Sequence, residues 1–479
     1  MELKGHINPE YAPIARAFLE NFEQDDEIGA SLCVYHDGRL VADIWAGFRD
    51  EKAPESRKKR DETSRREDGN KRDVGVERDD GVERNDGVER NDGRMQENRL
   101  ARDAAIKRED RTRQVDATKQ ESATLKKDRE EHAPWEEDTV APIFSSTKAV
   151  AAACMAICHS RGQFDYGDRV SDYWMEFGSN GKKEITIAQL LQHRAGLSAI
   201  DRKLTLEMIR DRSLLEGIIA DQKPAWKPGE HQGYHCWTIG WYISALLARI
   251  DPKKRRLKEF LEEEILPHID GDIRIGIDGT YDFSRIAILK PFSKRKGMFA
   301  MPFVFVKEFF NPWSLTFRTM LNPAFVGNHA NFNRRDVLEL EFGSGGGIGN
   351  ARGLSSLFHG LTTPDHPLYL GQKTLAYITG VPEPPTGAAG KSAEYGFEDI
   401  VFKQTAFVFH AGFMKPTVRH NFSRNRSAFG GFGAGGSFVV SDPAVKLTYA
   451  YTMNSMSEEM MNMRKEVRIR EAVYKVIAR

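Results

Sequence analysis

The chain has 479 residues, and its 70 Lys and Arg balance 70 Asp and Glu, so it lacks the electrostatic footprint of a general nucleic-acid binder. Four cysteines with no Cys-x-x-Cys pair cannot make a disulfide scaffold and give a zinc or redox centre little support, so a reducing compartment and no metal or other cofactor are expected. Residues 1–30 lack a signal-peptide core and no run of about 18 apolar residues occurs, which predicts a soluble, cytoplasmic protein of open oligomeric state.

In chain order, the first predicted element is a hairpin. The runs Ala30 to Tyr35 and Leu40 to Trp45 flank His36-Asp37-Gly38-Arg39, and Asp-Gly between two apolar runs is a hairpin signal. From Glu51 to Ala133 the composition changes: 46 of 83 residues are charged, 23 of each sign, and none is aromatic. Such a segment buries too little apolar surface to offset its ordering entropy, so disorder or a loose charged helix is expected. A hexapeptide recurs there from Gly75 to Asp92, in three copies that each open with Gly. These read as local expansion, because solenoid repeats need an apolar face to stack. The chain thus divides into residues 1–50, the low-complexity insert 51–133, and the remainder of a catalytic domain, 134–479.

After the insert, Trp135 to Phe144 leads into Ser145-Ser146-Thr147-Lys148 and the apolar run Ala149 to Ile157, a predicted buried helix ended by Gly162. Residues i and i+3 share a helical face, so the Ser145 hydroxyl and the Lys148 amine can meet. The same spacing occurs at Ser56 to Lys59 and at Ser293 to Lys296, but in charged surroundings. Spacing alone leaves two readings open: a nucleophile with its base, or a helix cap with a solvated lysine. Cys154 and Cys158 lie i, i+4 on this apolar helix, which predicts core thiols, and Cys33 lies in a strand-like run. Ile187 to Leu191 reads as a short helix, Lys446 to Asn454 as a late strand, and Glu466 to Ile477 as a helix covering the sheet.

Four stretches, in order, resemble the motifs of the serine β-lactamase and penicillin-recognising superfamily, in its class C and serine-esterase branch. They are Phe144 to Val150, Leu190-Leu191-Gln192-His193-Arg194-Ala195-Gly196-Leu197, Lys227-Pro228-Gly229 followed by Tyr234, and the Gly-rich strand from Phe429 to Pro443. Only the insert and about residues 281–321 match poorly. The resemblance implies an α/β (α+β) fold, an antiparallel sheet from both chain ends flanked by helices, with a mostly helical region inserted. It also implies an acyl-enzyme on Ser145, with Lys148 and a Tyr234 phenol of depressed pKa moving the proton. The N–H groups of Ser145 and Ala434 would form the oxyanion hole, and Gly431, Phe432, Gly433 and His235 would bind substrate.

Two departures narrow that expectation. Tyr234-His235-Cys236 stands where the family usually has Tyr-x-Asn, and Gly431-Phe432-Gly433 where it usually has Lys-Thr-Gly or His-x-Gly. Without the cation, neutral esters are favoured over anionic β-lactams and peptide termini; His410 or His420 could replace it. His193 reads as a structural turn histidine, and no G-x-S-x-G elbow for a Ser-His-Asp triad is present. The expected function is therefore a serine hydrolase for small neutral esters or amides. Its rivals are a non-catalytic binding or scaffold protein and, more weakly, a β-lactamase or D-aminoacyl peptidase.

Overall fold

Asp37 and Gly38 both take left-handed backbone angles, φ 48 and 77, the geometry that matches a two-residue turn to the right-handed twist of its strands. The strands it joins, β2 (Gly29–His36) and β3 (Arg39–Gly47), form the predicted hairpin. In the computed structural model they belong to an eight-stranded sheet with β1 (Leu3–Ile7), β4 (Val408–His410), β5 (Phe413–Lys415), β6 (Phe429–Phe432), β7 (Phe438–Asp442) and β8 (Leu447–Met453). The order is β1-β3-β2-β8-β7-β6-β5-β4, antiparallel throughout. Strands from both chain ends meet at β2 and β8, where Cys33 faces Ala450. The structure describes residues 1–50, 133–292, 301–388, 392–405, 407–459 and 463–478. The hexapeptide repeats, and all of the insert except Ala133, lie outside the described residues.

The period-2 alternation of the strands sorts the helices into layers. Tyr451 meets Phe18 of α1 (Ala12–Gln24), and Tyr474 of α6 (Arg464–Ile477) donates to Asp442, on one face of the sheet. Tyr35 stacks on His359 of α5 (Ala351–Thr362) on the other. The predicted apolar helix, α2 (Ser146–Ser160), packs on that second face beside β6, and α3 (Ile239–Ile250) lies behind it. A shorter helix, α4 (Phe303–Phe309), follows α3 in the mostly helical region between the two groups of strands. All four cysteines are free and buried, Cys154 and Cys158 among them as predicted for core thiols.

The stretch Phe429 to Pro443 is not one strand but the hairpin β6–β7, with residues 433–437 as its turn. That correction moves Ala434 from a strand to an exposed turn tip. A small antiparallel sheet of Ala141–Pro142, Ile273–Ile275 and Gly347–Gly349 delivers the chain to Phe144, at the junction of sheet and helical region.

Candidate active site

Phe144 enters the site in the left-handed region, φ 43, and α2 begins two residues later. Ser145 makes no capping hydrogen bond, so the helix-cap reading does not describe its hydroxyl. Instead Ser145 Oγ accepts from Lys148 Nζ at 3.1 Å and from the Tyr234 hydroxyl at 2.9 Å. Lys148 Nζ also lies 4.8 Å from the Tyr234 ring centroid. One turn of helix brings Ser145 and Lys148 together; only the tertiary fold brings Tyr234, 89 residues away.

Burial sets the protonation states. Lys148 is 4% exposed, and loss of water pulls its pKa down from 10.5 to about 8, because a low-dielectric site disfavours the charged amine. Burial acts on Tyr234 in the opposite direction and holds its phenol above the usual range. The expected depressed phenol is therefore corrected: Tyr234 is a protonated donor, and Lys148 is the group that can empty itself of a proton near neutrality. Cys236, where an Asn was missed, is a buried thiol pushed up to about 11 by desolvation. The second bond that orients Lys148 goes to the Ser344 carbonyl at 2.7 Å. Ser344 is fixed in turn by Trp237 and Gly240 at the entry to α3.

Two further residues hold the frame. Asp399, fully buried, accepts from the backbone N–H of Tyr234 at 2.9 Å, of Val401 at 2.9 Å and of Phe402 at 3.0 Å. Burial outweighs those bonds and raises its pKa to about 6. Ser437 donates to the Ile143 carbonyl at 2.7 Å, and Ser146 Oγ donates to the Ser437 carbonyl at 3.2 Å. The β6–β7 turn is thereby tied to the residues that carry Ser145. The N–H groups of Ser145 and Ala434 are not taken up by any other described residue.

Ser145, Tyr234, Phe432, Gly433 and Ala434 line one pocket of about 240 Å³. Its walls are Phe and Met: Phe305, Phe309, Phe402, Phe407, Met320 and Met414 are among them, with Ser457, Glu458 and Glu459 at one side. Neither Lys nor Arg lines it among the described residues. Several walls come from 281–321, the region that matched no motif; the run Phe303-Val304-Phe305-Val306-Lys307-Glu308-Phe309 was the signal there. Ser344, Ser437 and Asp399 offered none, since each reaches the site through a partner far away in sequence: Lys148, Ile143 and Tyr234 respectively.

Gly431 and His235 do not reach this pocket. A Cβ at 431 would lie 2.4 Å from Ala149 Cβ, so the missing family cation could not fit there without moving α2. His235 is fully buried, with Nδ1 bonded to the Gly233 carbonyl and Nε2 accepting from Leu197 N–H; desolvation pulls its pKa down to about 3. Neither His410 nor His420 lines the pocket or replaces the cation, because burial lowers them to about 4 and about 3 and keeps both neutral. His193 is a turn residue at φ 59, its Nδ1 accepting from the His235 backbone. Among the described residues no His, Cys, Asp and Glu cluster could hold a metal ion, and no helix is long and apolar enough to cross a membrane.

A sequence model of the family described as Beta-lactamase matches residues 111–474. A Mycobacterium tuberculosis protein described as esterase/beta-lactamase LipL is 29% identical over 233 residues, 48% of this chain and 52% of that protein. The chain therefore matches about half the length of this curated relative. Among solved structures, a family VIII carboxylesterase superposes with a TM-score of 0.70 at 23% identity, over 99% of this chain and 100% of that one. EstA from Arthrobacter nitroguajacolicus Rue61a gives 0.70 at 24%, over 100% and 99%. A penicillin-binding protein homologue from Caulobacter crescentus gives 0.68 at 22%, over 99% and 100%. At these identities the structural likeness is one of fold.

Proposed function

Because the chain belongs to the Beta-lactamase family, we propose that it is a serine hydrolase that cleaves small neutral esters through an acyl intermediate on Ser145. One observation carries this reading: Ser145 Oγ sits 3.1 Å from Lys148 Nζ and 2.9 Å from the Tyr234 hydroxyl, beside an apolar pocket. With Lys148 neutral, the Ser145 proton passes to its amine as Oγ bonds to the ester carbonyl carbon. The resulting oxyanion lies against the N–H groups of Ser145 and Ala434, a contribution of about 3 kcal/mol per donor in a preorganised site. Collapse breaks the bond to the alcohol, whose oxygen takes the proton from Lys148 by way of the Tyr234 phenol. Water then attacks the acyl-enzyme by the same route and frees the acid and Ser145.

The walls support the substrate class. An aromatic and Met-lined cavity without Lys or Arg, and with Glu458 and Glu459 at one side, suits an uncharged acyl group and disfavours a carboxylate. Four buried free thiols fit a reducing compartment, and we place the protein in the cytoplasm. The purified protein is expected to release p-nitrophenol from p-nitrophenyl butyrate. A fluorophosphonate adduct should map to Ser145, and Ser145→Ala should lose both activity and adduct. An equally active Ser145→Ala protein would end this assignment, and cephalosporin turnover faster than ester turnover would overturn the substrate class.

A further inference from the structure

Helix α4 is apolar almost all round, a pattern that calls for cover on every side. It has cover on one side only. Phe305 is 5% exposed and lines the pocket with Val306 and Phe309. Phe303 is 81% exposed and Val304 52%, and just past the helix Phe310 is 63% and Trp313 90% exposed. These are four of the eleven exposed large apolar side chains among the described residues, gathered between positions 303 and 313. Positions 303, 307 and 310 recur at helical spacing, so they share the outer face. Charge along the neighbouring sequence is mainly positive: from Lys290 to Arg318 it holds six Lys or Arg against one acid, Glu308, and Lys307 is exposed on that face.

Exposed Phe and Trp beside cations is the chemistry that settles into the headgroup layer of an anionic bilayer. We propose that the 303–313 face docks on an anionic phospholipid surface, with Phe303, Phe310 and Trp313 in the headgroup layer. The pocket then draws its apolar esters from that surface. The second half rests on the hydrolase reading; the docking does not. Phe305 and Phe309 wall the pocket from the same short helix, so docking brings the apolar pocket to the lipid, and an acyl chain can enter with little passage through water.

The full-length protein should co-sediment with phosphatidylcholine vesicles containing phosphatidylglycerol, and less with phosphatidylcholine alone or at high salt. Trp313 emission should shift blue and be quenched by brominated lipid; Trp313→Phe should keep binding and lose that signal. Phe303→Ser/Phe310→Ser/Trp313→Ser, all exposed positions outside the pocket, should weaken vesicle binding about tenfold or more. The same variant should hydrolyse soluble p-nitrophenyl butyrate as before, whereas Ser145→Ala should bind vesicles like the parent. Undiminished binding by the triple variant, or no binding by the parent, overturns the proposal. Self-association lost in the triple variant, without vesicle binding, would assign the face to a second copy of the chain.

Discussion

Lys148 sets the pH at which this site can work. A buried amine with a pKa near 8 is cationic below that pH and a free base above it, so kcat/KM for a neutral ester should rise with unit slope and level off above about pH 8. A flat profile from pH 6 to 9 would remove Lys148 from the role of base. Lys148→Arg keeps the charge but never becomes neutral, and should cost about a hundredfold or more in kcat, as loss of general-base catalysis does. Tyr234→Phe removes a phenol held in its protonated form. It should lower kcat by a similar factor for alkyl esters, whose alkoxide needs a proton to leave, and by less for p-nitrophenyl esters, while sparing KM, since only proton delivery is lost.

Elements are held together through close approach and through buried ion pairs. Strand β6 lies so near α2 that Gly431 has no room for a Cβ. Gly431→Ala should therefore cost about 1–3 kcal/mol, as overpacking a filled core does, read as a lower urea midpoint. Helix α6 is pinned to the sheet by Lys465, whose Nζ lies 2.7 Å from Glu27 Oε2; Tyr451 donates to the same oxygen at 2.7 Å. Both ends of the pair are buried. Lys465→Ala leaves the Glu27 charge without its partner, a loss of about 3–5 kcal/mol at neutral pH, also visible in urea unfolding.

Across the whole molecule, stability carries a pH signature from Glu466. Its carboxyl is buried, neither oxygen has a hydrogen-bond partner among the described residues, and burial outweighs the Arg470 cation 3.6 Å from Oε1 and pushes its pKa up from 4.5 to about 7. Between those values the folded chain holds a proton that the unfolded chain has lost. Stability from this group is present below pH 4.5 and is lost as pH rises towards 7, by up to about 1.4 kcal/mol per pH unit. Glu466→Gln should therefore be more stable than the parent at pH 8 and nearly equal to it at pH 4.5, in thermal melts at both. A constant difference between the two pH values would contradict the assignment.

What the sequence determined by itself was local or repetitive. The Asp37-Gly38 hairpin, α2 and its Ser145–Lys148 spacing, the β8 strand and the α6 helix are legible because backbone periodicity and i, i+3 neighbours are set within a few residues. Ordered motifs pointed to Tyr234 and Ala434 through resemblance. Tertiary structure decided what depends on residues far apart in the chain. Burial made Lys148 the titrating group and kept Tyr234 protonated; packing of Gly431 on Ala149 excluded a cation; backbone partners took His235 out of the pocket. It also drew pocket walls from residues 144 to 459. Desolvation and close approach are properties of the assembled interior, and no spacing within the chain encodes them.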